Sequence, residues 1–103
     1  MQKGNFVKQP SESFTIAADI VDVVITGEIV DLGTSTVTAT DKNEEDASAD
    51  VLVGASKSVS GTQLKIKIKA GTEALSPYAI RFVIGTSEGN IWEKDVEMRI
   101  REI

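Results

Sequence analysis

The segment Leu64-Lys65-Ile66-Lys67-Ile68-Lys69 alternates apolar and charged residues without a break. In an extended chain successive side chains point to opposite faces, so Leu64, Ile66 and Ile68 line one side and the lysines line the other. Wound into a helix, the same pattern would scatter both classes around the cylinder. The segment therefore reads as a strand with one face buried and one in water, as in an antiparallel sheet packed on a core. Ser60-Gly61-Thr62 comes just before it, and Val51-Leu52-Val53 and Val59 precede that. This predicts a hairpin turning at Ser60-Gly61, where glycine accepts positive φ without steric cost.

The same period continues downstream. Tyr78, Ile80, Phe82 and Ile84 form the apolar face of a second strand, and Ser87-Glu88-Gly89-Asn90 is a second hairpin signal. The last strand runs from Trp92 to Ile100, with Val96, Met98 and Ile100 on one face and Glu97, Arg99 and Arg101 on the other. Upstream, Phe14-Thr15-Ile16 reads as a strand after Pro10, and Val7 begins a short edge strand before it; the alternative for residues 1–10 is a flexible N-terminal segment. Residues 20–29 are β-rich but alternate poorly, which fits either a strand or a crossover between sheets. Val30 to Thr40 reads as a further strand, best defined over Ser35–Thr40, and Asp41–Asp46 as a solvated loop. Helix periodicity is not found.

About seven short strands within ~100 residues predict one all-β domain spanning 1–103, an immunoglobulin-like sandwich of antiparallel strands. A partly open barrel is the competing architecture. Tyr78 supports the sandwich. It opens the penultimate strand behind Pro77, where a tyrosine corner places its hydroxyl against upstream backbone. Its simpler role is that of an aromatic at the core edge.

Composition narrows the chemistry. The chain has no cysteine and no histidine. Thiolate chemistry and disulfides are excluded, and so are the commonest general base and the commonest transition-metal ligand. A net charge of -5 argues against nonspecific binding to nucleic acid or to an anionic membrane. No apolar run approaches the ~20 residues of a membrane span, and Met1–Pro10 lacks signal-peptide architecture.

Individual constellations add little catalytic promise. Asp41, Asn43 and Glu45 have the spacing of calcium-loop ligands, but the glycine and glutamate such a loop requires are replaced by Asp46 and Leu52. The loop reads as a solvated turn with no metal. Asp19, Asp22 and Asp31 offer carboxylates without an inferable cleft, and no serine can join a histidine triad. No catalytic, cofactor or metal residue is assigned. Two features remain as candidate partner contacts. Lys65, Lys67 and Lys69 form a basic stripe, read otherwise as a plain exposed face that discourages edge-to-edge aggregation. Trp92 is either an exposed anchor or, by its parity with Val96 and Met98, a residue buried at the end of the core.

Several stretches together resemble a known family. They are Phe14-Thr15-Ile16 with Asp19, Thr36-Val37-Thr38, Ser60-Gly61-Thr62 leading to Lys69, Gly71-Thr72 leading to Tyr78, Thr86-Ser87-Glu88-Gly89, and Arg99 to Glu102. In order and spacing this is similar to the small immunoglobulin-like proteins of phage and prophage structural gene clusters, some described as fibre–tail adaptors. The chain departs from them in the hydrophobicity of residues 20–29 and in a longer connection over Glu73–Pro77. The resemblance implies a non-catalytic assembly domain, docking other tail, fibre or head proteins and open to self-association. It would be found in the virion or in the host cytoplasm during assembly. An adhesion or carbohydrate-binding module of a surface protein is the alternative.

Overall fold

A computed structural model describes residues 3–21 and 27–101. Seven strands form two sheets: β1 (Lys3–Lys8), β2 (Phe14–Asp19), β3 (Thr36–Thr40), β4 (Leu52–Ser60), β5 (Gln63–Ile68), β6 (Tyr78–Gly85) and β7 (Ile91–Ile100). One sheet has the order β1-β7-β6-β3 and the other β2-β5-β4. A single helical turn, α1 (Ser48–Val51), leads into β4. With β2 to β7 taken as strands B to G, the sheets are BED and CFG. This is the arrangement of an immunoglobulin-type sandwich.

Alternation builds the core directly. Leu64, Ile66 and Ile68 of β5 are buried, and so are Tyr78, Ile80, Phe82 and Ile84 of β6 and Met98 and Ile100 of β7. They pack across the gap between the sheets in one cluster. The β4–β5 hairpin turns at Gly61 with φ +58°, as its sequence predicts. Ile84 opposes Trp92 and Gly85 opposes Ile91 where β6 folds back into β7.

Three expectations need correcting. The strands are not all antiparallel: β1 runs parallel to β7, with Phe6 beside Met98 and Lys8 beside Ile100. After Lys8 the chain passes Pro10, which lacks the N–H a continuing strand would donate, and enters the opposite sheet as β2. The strand placed at Val30–Thr40 begins only at Thr36. Asp31 is the reason, because its carboxylate accepts from Gly33 N at 3.1 Å and captures the chain in a 3-10 turn over Leu32–Thr34. Val30 keeps an isolated bridge to Thr86. The strand-or-crossover question over residues 20–29 falls largely on 22–26, which lie outside the described residues. Finally, β5 is the central strand of its sheet, so its lysines protect no edge.

Candidate functional site

The sequence-predicted residues fall in three separate places. Lys65 and Lys67 project from the outward face of β5, Lys67 exposed and Lys65 half-buried. Their strand neighbours are Ala17 and Ser58 for Lys65, and Thr15 and Val53 for Lys67, all small or uncharged. Lys69 follows the strand, tied back by its N–H to Val51 O at 2.8 Å. Trp92 lies at the start of β7, half-buried against the core. Its indole nitrogen is buried with no hydrogen-bond partner among the described residues. Tyr78 sits fully in the core, and its hydroxyl accepts from Thr72 N at 3.0 Å across the turn that precedes β6.

The acidic loop is closed on itself. Asp41 Oδ1 accepts from Asn43 N at 2.8 Å and Glu45 N at 3.2 Å, so this carboxylate holds its own turn. Asp19 is likewise engaged, accepting from Thr62 Oγ1 at 2.7 Å, Val21 N at 2.9 Å and Gln63 Nε2 at 3.2 Å. The Thr62 hydroxyl and the Val21 N–H favour the ionised form and hold Asp19 below the usual carboxylate range. Asp31 caps its turn, and Asp22 lies outside the described residues. Among the described residues, no three His, Cys, Asp or Glu side chains converge as metal ligands, and no helix is long and apolar enough to cross a membrane.

Three lysines that sequence reasoning did not single out do the most structural work. Lys8, on the core-facing side of β1, is completely buried. Its ammonium donates to Gln9 O at 2.8 Å, Pro10 O at 3.2 Å and Ala70 O at 2.5 Å, reaching from one sheet to the loop that follows β5 in the other. Burial pushes this ammonium below its ordinary pKa, with the nearby Glu12 carboxylate opposing the shift. Lys94 shares the inward face of β7 and donates to the main-chain carbonyl of Asp19 on β2. Lys57 on β4 donates to Ser35 O at 2.6 Å, just before β3. Lys94 fastens its charged end to a strand of the opposite sheet, while Lys8 and Lys57 reach carbonyls just outside the strands, at Ala70 after β5 and Ser35 before β3. The signal was present for Lys94, which has the parity of Trp92, Val96 and Met98, yet a lysine there reads as a break in the pattern.

Another buried polar group serves the β6–β7 hairpin. Glu28 is 3% exposed and accepts from the Thr86 hydroxyl and, at 2.8 Å, from Asn90 Nδ2. Thr86 Oγ1 in turn accepts from Asn90 N at 3.1 Å, so the turn is pinned to the segment entering at Val30. On the outer face of the β1-β7-β6-β3 sheet, Arg81 pairs with Asp95 at 2.9 Å and Arg99 with Glu97 at 2.7 Å. Asp95 raises the Arg81 pKa further, and the Arg81–Asp95 pair is exposed.

A groove of about 400 Å³ lies between the edge strands β3 and β4. Val37, Leu52 and Ile66 form its apolar floor, and Thr36, Ser48 and Lys57 stand along it.

No family model matches the chain, and no curated protein does. Among solved structures, the crystal structure of CopC from Methylosinus trichosporium OB3b is similar, with 16% sequence identity and a TM-score of 0.55 over 98% of this chain and 87% of that one. At that identity the likeness is one of fold, and it places this chain among the β-sandwiches.

Proposed function

We propose that this chain is a non-catalytic docking domain, a rigid sandwich that holds other proteins in a larger assembly. A phage or prophage particle is the setting its sequence likeness implies. The observation that carries the reading is the bracing by Lys8, Lys57 and Lys94. Each ammonium donates to a main-chain carbonyl in or next to the opposite sheet. Charges placed in this way stiffen a platform, whereas acid–base chemistry needs titratable groups that converge on one point. Stiffness suits assembly because a preorganised surface loses less entropy on binding. The outward faces, with Lys65 and Lys67 on one sheet and Arg81, Glu93 and Asp95 on the other, give partners charged surfaces to recognise.

The test is to purify particles from a strain that encodes the chain and quantify their proteins by mass spectrometry. The expected result is this chain at a fixed copy number relative to a tail or head protein. Its absence from particles, together with specific binding on a glycan array, would overturn the proposal in favour of the adhesion reading.

A further inference from the structure

The groove between β3 and β4 has a main-chain feature that selects what fits it. Along an antiparallel edge strand, alternate residues turn their N–H and C=O away from the sheet. On the β3 side these residues are Ser35, Val37 and Ala39. Ala39 is already occupied, with its N–H donating to Ser48 Oγ at 2.9 Å and its carbonyl accepting from Ala47 N at 2.8 Å. Ser35 O is occupied by Lys57 Nζ at 2.6 Å. Val37 lies between them and lines the groove, and its N–H and C=O have no partner among the described residues. The edge is thus closed above and below and open at a single residue.

The opposite wall is shaped to leave room. β4 slips its register against β5 between Val53 and Ser58, a bulge that Ser56 stabilises by donating to Val53 O at 2.6 Å and accepting from Lys67 N at 2.8 Å. Gly54 sits in this bulge, and a Cβ built there meets nothing within 4 Å. The floor below is core, since Leu52 and Ile66 belong to the main hydrophobic cluster and Val37 packs against it. The ammonium of Lys57 is the one charged group among the described lining residues, and it has donors to spare beyond its bond to Ser35.

We propose that this groove anchors an extended, acidic segment of a partner protein. One residue of that segment exchanges an N–H···O=C pair with Val37 and lowers an apolar side chain onto Val37, Leu52 and Ile66. A carboxylate beside the anchor meets Lys57. This is strand addition restricted to one residue, so affinity rests on the anchor side chain and the flanking charge more than on a long ladder. The inference rests on the docking reading above and names the partner's chemistry.

The test uses the full chain and a library of random linear peptides. Selection should enrich sequences with one Leu, Ile, Met or Phe flanked by Asp or Glu, and titration of an enriched peptide should move the Val37 amide resonance. Gly54→Leu fills the groove from a position with open space around it, and it should weaken the peptide by at least about tenfold with Tm unchanged. Lys57→Gln should weaken it less and remove most of its salt dependence. Failure to enrich such sequences, enrichment of binders indifferent to Gly54→Leu, or binding only of small apolar molecules would each overturn the inference. The docking reading is tested separately, because particles that incorporate Gly54→Leu normally would leave that reading standing while removing the groove from it.

Discussion

The Tyr78 hydroxyl accepts a hydrogen bond from Thr72 N at 3.0 Å, linking the first residue of β6 to the turn that leads into it. Tyr78 is 2% exposed, so the ring is a core residue while its oxygen serves the surface turn. Tyr78→Phe keeps the ring and leaves one N–H without its partner. The expected cost is about 1 kcal/mol, or a fall in Tm of about 4–8 °C. Urea denaturation of the two proteins checks it, and an unchanged midpoint would mean the bond adds nothing to stability.

The inward and outward lysines should differ sharply. Lys94 stems from the core face of β7 and reaches the Asp19 carbonyl, whereas Lys67 is exposed on β5. Lys94→Ala removes buried methylenes and frees a carbonyl, with an expected loss of about 2–3 kcal/mol. Lys67→Ala should fall within about 0.5 kcal/mol of the parent. Lys94→Met separates the two components of the Lys94 effect, since it keeps the stem and loses only the ammonium.

Acid should reveal Asp19. Its carboxylate is held below the ordinary 3.8, first by the Thr62 hydroxyl and then by the Val21 N–H. A depressed folded-state pKa means that the folded protein binds fewer protons than the unfolded chain. The resulting stability is fully present above about pH 4 and fades as pH falls through the folded value. Asp19→Asn should therefore be less stable than the parent at neutral pH, and the gap should close below about pH 4. Denaturation midpoints collected from pH 7 to pH 2 measure this, and a gap independent of pH would contradict it.

Gly85 closes β6 directly beneath the 3-10 turn. A Cβ there would stand 2.1 Å from Thr34 Oγ1 and 2.9 Å from Thr34 O, so a backbone atom as well as a side chain would have to move. Gly85→Ala should cost about 1–3 kcal/mol, the range for overpacking. Gly54→Ala, with no atom within 4 Å of the new carbon, is the matched control and should change stability little. Thermal melts of the pair decide the point.

What the chain determines by itself is local and periodic. Side-chain alternation is written into the order of residues, so Leu64, Ile66 and Ile68, and likewise Tyr78, Ile80, Phe82 and Ile84, declare their buried face before any partner is known. The β4–β5 turn is equally legible, because Gly61 adopts the positive φ that its hairpin requires. The tertiary structure decided the rest. That β1 runs parallel to β7, and that β5 is central and not at an edge, depends on where the chain crosses between sheets. The roles of Lys8, Lys57 and Lys94 depend on which carbonyl lies across the sandwich, 62, 22 and 75 residues away along the chain. The groove at Val37 depends on Ser48, Ala47 and Lys57 closing the positions on either side of it. No periodicity encodes such meetings, because each is set by loops that bring distant residues together and not by the neighbours of either one.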